Sequence, residues 1–152
     1  WGSFLAAASW RNFHVSGVES EAKRADWIRR RLKVDVSVGS HPDDAPEGPY
    51  DVVVLHNSLQ DCEEPVHFLE AASRLLEPEG LLALSTPSLD HPVHQLLGYD
   101  DPGWSDPRRR IWFDRQALAV SLLRAHLQPV GTWHDPHCPG SVHVLARRIP
   151  AS

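Results

Sequence analysis

The run Tyr50-Asp51-Val52-Val53-Val54-Leu55-His56 constrains the fold more than any other part of the chain. Val52 to Leu55 are apolar without a break and mostly β-branched, so no polar side chain alternates with them. Such a strand is expected to be buried on both faces, as in a parallel sheet covered by helices. A parallel neighbour requires a crossover of a dozen or more residues, usually a helix. The next segment supplies one. From about Glu64, with Pro65 in the first turn, the residues Val66, Leu69, Ala72 and Leu76 fall on one helical face. Glu77-Pro78-Glu79-Gly80 ends that helix, and Leu81 to Thr86 reads as a second buried strand.

The remaining segments repeat the alternation. Residues 3 to 10 read as a short helix with Phe4, Leu5, Ala7 and Ala8 available for burial. Residues 13 to 18 alternate and read as a strand ending at Glu19. Ser20 is placed to cap a helix with Ala22, Ala25, Ile28 and Leu32 inward and Arg29, Arg30 and Arg31 mostly toward water. Val34 to Val38 is a short strand, and Gly39 to Pro49 a loop rich in Pro, Gly and Asp. Residues 87 to 112 look irregular. Asp114 caps a helix with Leu118, Leu122 and Ala125 on one face. Strands near 129–134 and 141–148 form a hairpin around Asp135 to Gly140. This order predicts an α/β doubly wound, mostly parallel sheet with an antiparallel edge hairpin.

At 152 residues the chain fits one domain, 1–152, with a core that needs no staples. A net charge of -5 speaks against general affinity for nucleic acid or an anionic membrane. No apolar run approaches the roughly 20 residues that span a bilayer, and no signal peptide is visible. Cys62 and Cys138 are the two cysteines, too few for a disulfide framework, and point to a reducing, cytoplasmic setting. Oligomeric state is not legible.

Three stretches, in order and spacing, resemble the class I (Rossmann-like) S-adenosylmethionine-dependent methyltransferases, in particular the ubiquinone-biosynthesis-like small-molecule methyltransferases. They are Val15-Ser16-Gly17-Val18-Glu19; Tyr50 to Asp61, with Pro65 and Phe68-Leu69 following; and Leu75 to Pro87, which holds a Pro-x-Gly turn and a Thr-Pro step. The resemblance covers nearly the whole chain. It implies S-adenosylmethionine as cofactor and methyl transfer to a small-molecule acceptor, with oxygen one candidate atom.

It also implies site residues. Glu19, at the end of a strand, takes the place where a carboxylate accepts hydrogen bonds from two ribose hydroxyls; otherwise it is a solvated acid favoured by a helix dipole. Ser40 and His41 stand where the family carries an acid near adenine, leaving a backbone or hydroxyl contact or else an ordinary turn. His56 and Asn57 end the central strand at the carboxyl edge of the sheet, where ligands bind in such folds. Glu19, Ser40, His56 and Asn57 are expected along one such edge. Gln60-Asp61 replaces the family's Glu-His.

Trp1-Gly2 before Phe4-Leu5 is similar to the tail of the family's glycine-rich turn, and Gly2 is its surviving glycine. The first strand and the rest of that motif are missing, so an amino-terminally truncated domain is expected, with a gap between the strands ending at Glu19 and His56. Alone it is expected to bind S-adenosylmethionine poorly.

A hydroxyl acceptor needs a general base. In the segment Ser88 to Trp112, which also holds Tyr99 and Trp104, His91 and His94 are the candidates, against a reading of both as surface histidines. Arg108-Arg109-Arg110 either receives an acidic substrate or forms a solvated face. His134, His137 and Cys138, with His126 or His143, suggest zinc, but a hairpin turn explains them better and no metal is expected. Two rival readings are a catalytically inactive methyltransferase-like binding module and a nicotinamide-dependent Rossmann domain. The closing hairpin speaks against the second.

Overall fold

A computed structural model describes residues 2–100, 106–135 and 140–150. Trp104, His137 and Cys138 lie outside these, and so does the side chain of Tyr99. The chain forms two compact units, 1–48 and 49–152.

The first unit contains α1 (Ser3–Ser9), β1 (Ser16–Glu19), α2 (Ala22–Leu32) and β2 (Asp35–Val38). β1 and β2 pair in parallel, from Ser16 opposite Asp35 to Glu19 opposite Val38. α2 is the crossover between them, and its Ala25 and Ile28 bury with Val36 while Leu5, Leu32 and Val34 pack around them. Gly2 precedes α1 at φ 70°, and a Cβ there would come within 3.1 Å of the Ile28 side chain. Glycine is the residue that accepts both conditions. β1 starts later than its alternating pattern suggests: Asn12 turns the chain at φ 63°, and Phe13 stays exposed. Glu21, not Ser20, occupies the N-cap of α2, and makes no side-chain cap. Glu19 takes over part of that work, its carboxylate accepting the Glu21 N–H at 3.1 Å. From the last turn of α2, Arg29 Nε donates to Val36 O at 2.6 Å and ties the helix to β2.

The second unit contains β3 (Tyr50–His56), α3 (Pro65–Arg74), β4 (Leu76–Pro87), α4 (Pro92–Leu97), α5 (Arg115–Arg124), β5 (Leu127–Trp133) and β6 (Ser141–Arg148). Its sheet has the order β3-β4-β6-β5. β3 and β4 are parallel, and β6 is antiparallel to both β4 and β5. The expected pairings of β1 with β2, β3 with β4 and the closing strands with each other are all present. β1 and β3 belong to different sheets.

The core of this unit is built on one face of its sheet. Leu55, Leu82, Leu84, Val144 and Ala146 meet Phe68, Leu69 and Ala72 of α3 and Leu118 and Leu122 of α5. The expectation that β3 is buried on both faces is therefore corrected. Val52 is 47% exposed and Val54 37%, because they point to the face opposite that cluster, while Val53 and Leu55 point into it. α3 also stops sooner than its pattern suggests. Leu76 is the first residue of β4, opposite Tyr50, and the register jumps to Val52 opposite Leu81 across the 77–80 turn. Glu79 holds that turn at φ 66°.

The stretch expected to be irregular carries α4 and a 3-10 turn, Gly98–Asp100. At six residues and with Pro92 at its start, α4 has no periodicity to read. His91 caps it by accepting the Val93 N–H at 3.2 Å. Backbone bonds anchor what lies on either side: Leu89 N–H to Phe113 O, 2.9 Å, and Ser88 N–H to Gly140 O, 2.9 Å. Asp114 caps α5 as expected, accepting the Ala117 N–H at 2.6 Å.

Candidate active site

In the first unit the carboxyl ends of both strands carry the expected residues. Glu19 is mostly buried and closely held. Its Oε1 accepts from Ser20 Oγ (3.3 Å), the Glu21 N–H (3.1 Å) and Arg24 Nη1 (3.3 Å), whereas Oε2 lies 3.4 Å from Arg24 Nη1. A carboxylate offers about four lone-pair positions, so Oε2 retains acceptor capacity for a diol while Oε1 fixes the group in place. Ser40 and His41, after β2, are already engaged: both backbone N–H groups donate to Asp44 Oδ2, at 2.9 and 3.0 Å. A Cβ on Gly39 would lie 2.2 Å from that same oxygen, so glycine is what lets Asp44 close the turn. Asp44 was not singled out in the sequence. Its signal was the Pro42-Asp43-Asp44 run behind His41, the start of a 3-10 turn.

In the second unit the carboxyl end of β3 concentrates polar groups. Asn57 sits at φ 48°, in the left-handed region, directly after the strand. Non-glycine residues in that region gather at functional sites. Its N–H is shared between Ser85 O (3.0 Å) and Ser85 Oγ (3.3 Å). The same Ser85 hydroxyl lies 3.0 Å from His56 Nδ1. Ser58 Oγ is sealed from solvent and has no hydrogen-bond partner among the described residues. The side-chain amide of buried Gln60 donates to Asn57 O (2.7 Å) and accepts from Thr86 Oγ1 (3.4 Å), while its backbone carbonyl accepts the N–H groups of Arg110 and Ile111 at 2.8 and 3.1 Å. Gln60 thus ties the end of β3 to the end of β4 and to the segment before α5. A neutral amide, both donor and acceptor, suits those partners; a carboxylate could not donate to Asn57 O. Next to it, burial raises the Asp61 carboxyl above its ordinary range, against the pull of Arg108. Burial also pushes the Cys62 thiol up to about 11. Ser85 and Ser58 were missed as site residues, since a lone hydroxyl in an apolar strand or a turn carries no spacing signal, and Gln60 stood out only as a departure from the family's Glu-His pair.

His91 and His94 occupy structural positions. His94 is buried; its Nε2 lies 3.0 Å from Gly140 O, which makes that nitrogen the donor. Its ring meets Trp112 edge to face at 5.4 Å, with the Arg109 guanidinium 5.2 Å over the same indole. His91 spends Nδ1 on capping α4 and lies 5.1 Å from the His134 ring. Burial, then the neighbouring His134 and His94, lower its pKa. The arginines have partners as well. Arg108 grips Asp106 through two bonds, 3.0 and 2.9 Å, and holds that carboxyl down to about 2. Arg110 pairs with Glu63 at 2.8 Å. Among the described residues no group of three or more His, Cys, Asp or Glu side chains is placed to hold a metal ion, and no helix is long and apolar enough to cross a membrane.

Residues 2–130 match the family model described as a methyltransferase domain. No curated protein matches the sequence. Among solved structures, the chain is similar to a Burkholderia thailandensis 1,6-didemethyltoxoflavin-N1-methyltransferase with bound 1,6-didemethyltoxoflavin and S-adenosylhomocysteine. Identity is 18%, the TM-score 0.72, and the match covers 98% of this chain and 67% of that one. It is also similar to the mitomycin 7-O-methyltransferase MmcR, at 18% identity and a TM-score of 0.78, over 97% of this chain and 46% of the other. A third likeness is to the [4+2]-cyclase SpnF, at 18% identity and a TM-score of 0.71, over 97% and 70%. The family match spans most of the sequence and agrees with the order and pairing of the strands: the chain belongs to the methyltransferase-domain family of class I, S-adenosylmethionine-dependent enzymes.

Proposed function

We propose that the protein transfers a methyl group from S-adenosylmethionine to a small molecule at an oxygen atom. The observation that carries the cofactor part is Glu19: a mostly buried carboxylate at the carboxyl end of β1, fixed through Oε1 and with acceptor capacity left on Oε2. That arrangement suits the two hydroxyls of a ribose. Gly2 allows a close backbone approach, and the Ser40-His41 turn borders the base. In the second unit, His56 and Asn57 present exposed polar side chains at the end of β3. When bound, the cofactor supplies an activated methyl group, so the protein's share is to place the acceptor in line with it and to deal with the acceptor's proton.

Neighbours of this fold include methyltransferases acting on oxygen and on nitrogen and a cyclase, so the acceptor atom rests on this chain's own residues. A partner-binding module without activity is the rival reading, and the Gln60-Asp61 pair in place of Glu-His favours it.

Binding is tested by titrating the ¹⁵N-labelled protein with S-adenosylhomocysteine to millimolar concentration and following amide shifts. The expected result is movement at Glu19 to Glu21 and at Asn57, absent with NADH. No shift at these amides overturns the reading. Transfer of labelled methyl from S-adenosylmethionine to simple phenols then separates an enzyme from a binding module.

A further inference from the structure

We propose that His91 is a pH-sensitive latch: when neutral it caps α4 and holds that helix against the β5–β6 hairpin, and when protonated it releases the 91–97 segment. The device lies wholly within the second unit and does not depend on methyl transfer.

Three histidines converge at α4. The His91 ring lies 5.1 Å from that of His134, on the hairpin, and 6.3 Å from that of His94, on α4 itself. Their hydrogen bonds fix where each neutral ring keeps its proton. His91 Nδ1 accepts the Val93 N–H at 3.2 Å, so its proton is on Nε2. His94 Nε2 donates to Gly140 O at 3.0 Å, and His134 Nδ1 donates to Ser141 O at 3.0 Å. Gly140 O also accepts the Ser88 N–H at 2.9 Å, which uses its second lone pair. Gly140 lets helix and hairpin touch: it sits at φ 90°, and a Cβ there would stand 3.0 Å from His94 Nε2 and 3.3 Å from Val93 Cγ1.

The three rings respond differently to acid. A proton added to His94 or His134 enters the nitrogen that does not face the carbonyl, and the N–H···O bond becomes charge-assisted. A proton added to His91 must enter Nδ1, the atom that accepts the Val93 N–H. The acceptor becomes a donor, and two N–H groups face each other. α4 has six residues and opens on Pro92, so that bond is a large share of what starts it. Charge repulsion adds to the loss. His134 and His94 stand closest to His91, and the Arg109 guanidinium lies 5.2 Å over Trp112, the ring against which His94 packs. The carboxylates nearby are already hydrogen-bonded: Asp90 to the Arg115 N–H at 2.6 Å, Asp114 to the Ala117 N–H at 2.6 Å, and Asp106 to Arg108. Asp135, next to His134 in the chain, is also engaged.

Burial, then His134 and His94, hold the His91 pKa below its ordinary value. The open segment therefore takes up the proton first. The latch is complete above the ordinary histidine range and is lost as pH falls through the lowered value. α4 follows the carboxyl end of β4. Its release parts His94 from Trp112 and frees the chain beyond Asp90, while Ser88 and Leu89 stay tied by backbone bonds to Gly140 and Phe113.

NMR between about pH 7.5 and about pH 5, the range in which histidine titrates, tests this. At the upper pH the imidazole ¹⁵N shifts of His91 are expected to show a bare Nδ1 and a protonated Nε2. On acidification, amide protection factors over 93–97 should fall about fivefold or more, the effect of losing one helix cap, while those of β4 and β6 hold. His91→Asn supplies a cap that does not titrate and should keep α4 closed at both ends of the range; His91→Ala should leave it open at both. A native His91 with its proton on Nδ1 at the upper pH, or protection over 93–97 that does not change, overturns the proposal. An equal loss in the native protein and in His91→Asn also overturns it, because the response then belongs to other groups. If a variant fails to fold, the two native readings decide alone.

Discussion

Glu19 illustrates how one side chain serves folding and chemistry together. One oxygen takes the N–H of Glu21, the N-cap of α2, and the Arg24 guanidinium, and the other keeps room for a ligand. Glu19→Gln keeps the shape and removes the charge. The expected result is a 10- to 100-fold weaker affinity for S-adenosylhomocysteine by calorimetry, the equivalent of about 1.5–3 kcal/mol for a hydrogen bond to a charged group. An unchanged affinity argues against the ribose role. Cys62 makes the opposite point. Burial favours its neutral thiol and Sγ donates to Leu59 O at 3.0 Å. Because the folded thiol titrates near 11 and an unfolded one near ~8.5, the unfolded chain releases its proton first. The stabilising contribution is thus complete below ~8.5 and declines as pH rises toward 11. At pH 8, iodoacetamide should label Cys62 much more slowly in the folded protein than in urea, read by peptide mass; equal rates contradict this.

At the scale of elements, ends decide more than interiors. α5 begins where Asp114 accepts the Ala117 N–H, and Asp114→Ala should cost about 1 kcal/mol, read as a lower urea midpoint. The 77–80 turn is the reverse case. Glu79 is held at φ 66°, where an L side chain costs about 1–2 kcal/mol. Its pairing with Arg147, 3.7 Å apart and exposed on both sides, returns little. Glu79→Gly should therefore stabilise the fold by about 0.5–1 kcal/mol after the added freedom of the unfolded chain is subtracted. A lower midpoint would show that the ion pair outweighs the backbone strain.

For the molecule, the two units differ in what holds each together. In the first, among the described residues, Ala25, Ile28 and Val36 form the buried cluster around a two-stranded sheet. The second buries apolar side chains from both of its longer helices and all four strands of its sheet. Local opening follows buried apolar contact. Amides of β1 and β2 should exchange with deuterium well before those of β4 and β6, measured by mass spectrometry of peptides. Uniform protection would mean that the chain opens as one cooperative body.

The sequence alone determined most elements and their pairing, because hydrophobic period is a local property: an unbroken β-branched run reads as a strand, and a 3–4 spacing as a helix facing it. It also placed Glu19, His56 and Asn57 at strand ends, since the end of a run is visible in the run itself. It did not reveal that Val52 and Val54 stand half-exposed, because burial depends on which face the helices cover. Nor did it show α4, which is too short to carry a period. The tertiary structure alone decided the partners. His56 and Ser85 are 29 residues apart, His94 and Gly140 are 46 apart, and Gln60 reaches Thr86 across 26. Hydrogen bonds over such separations are fixed by strand register, and register is set by the packing of the whole sheet rather than by any segment.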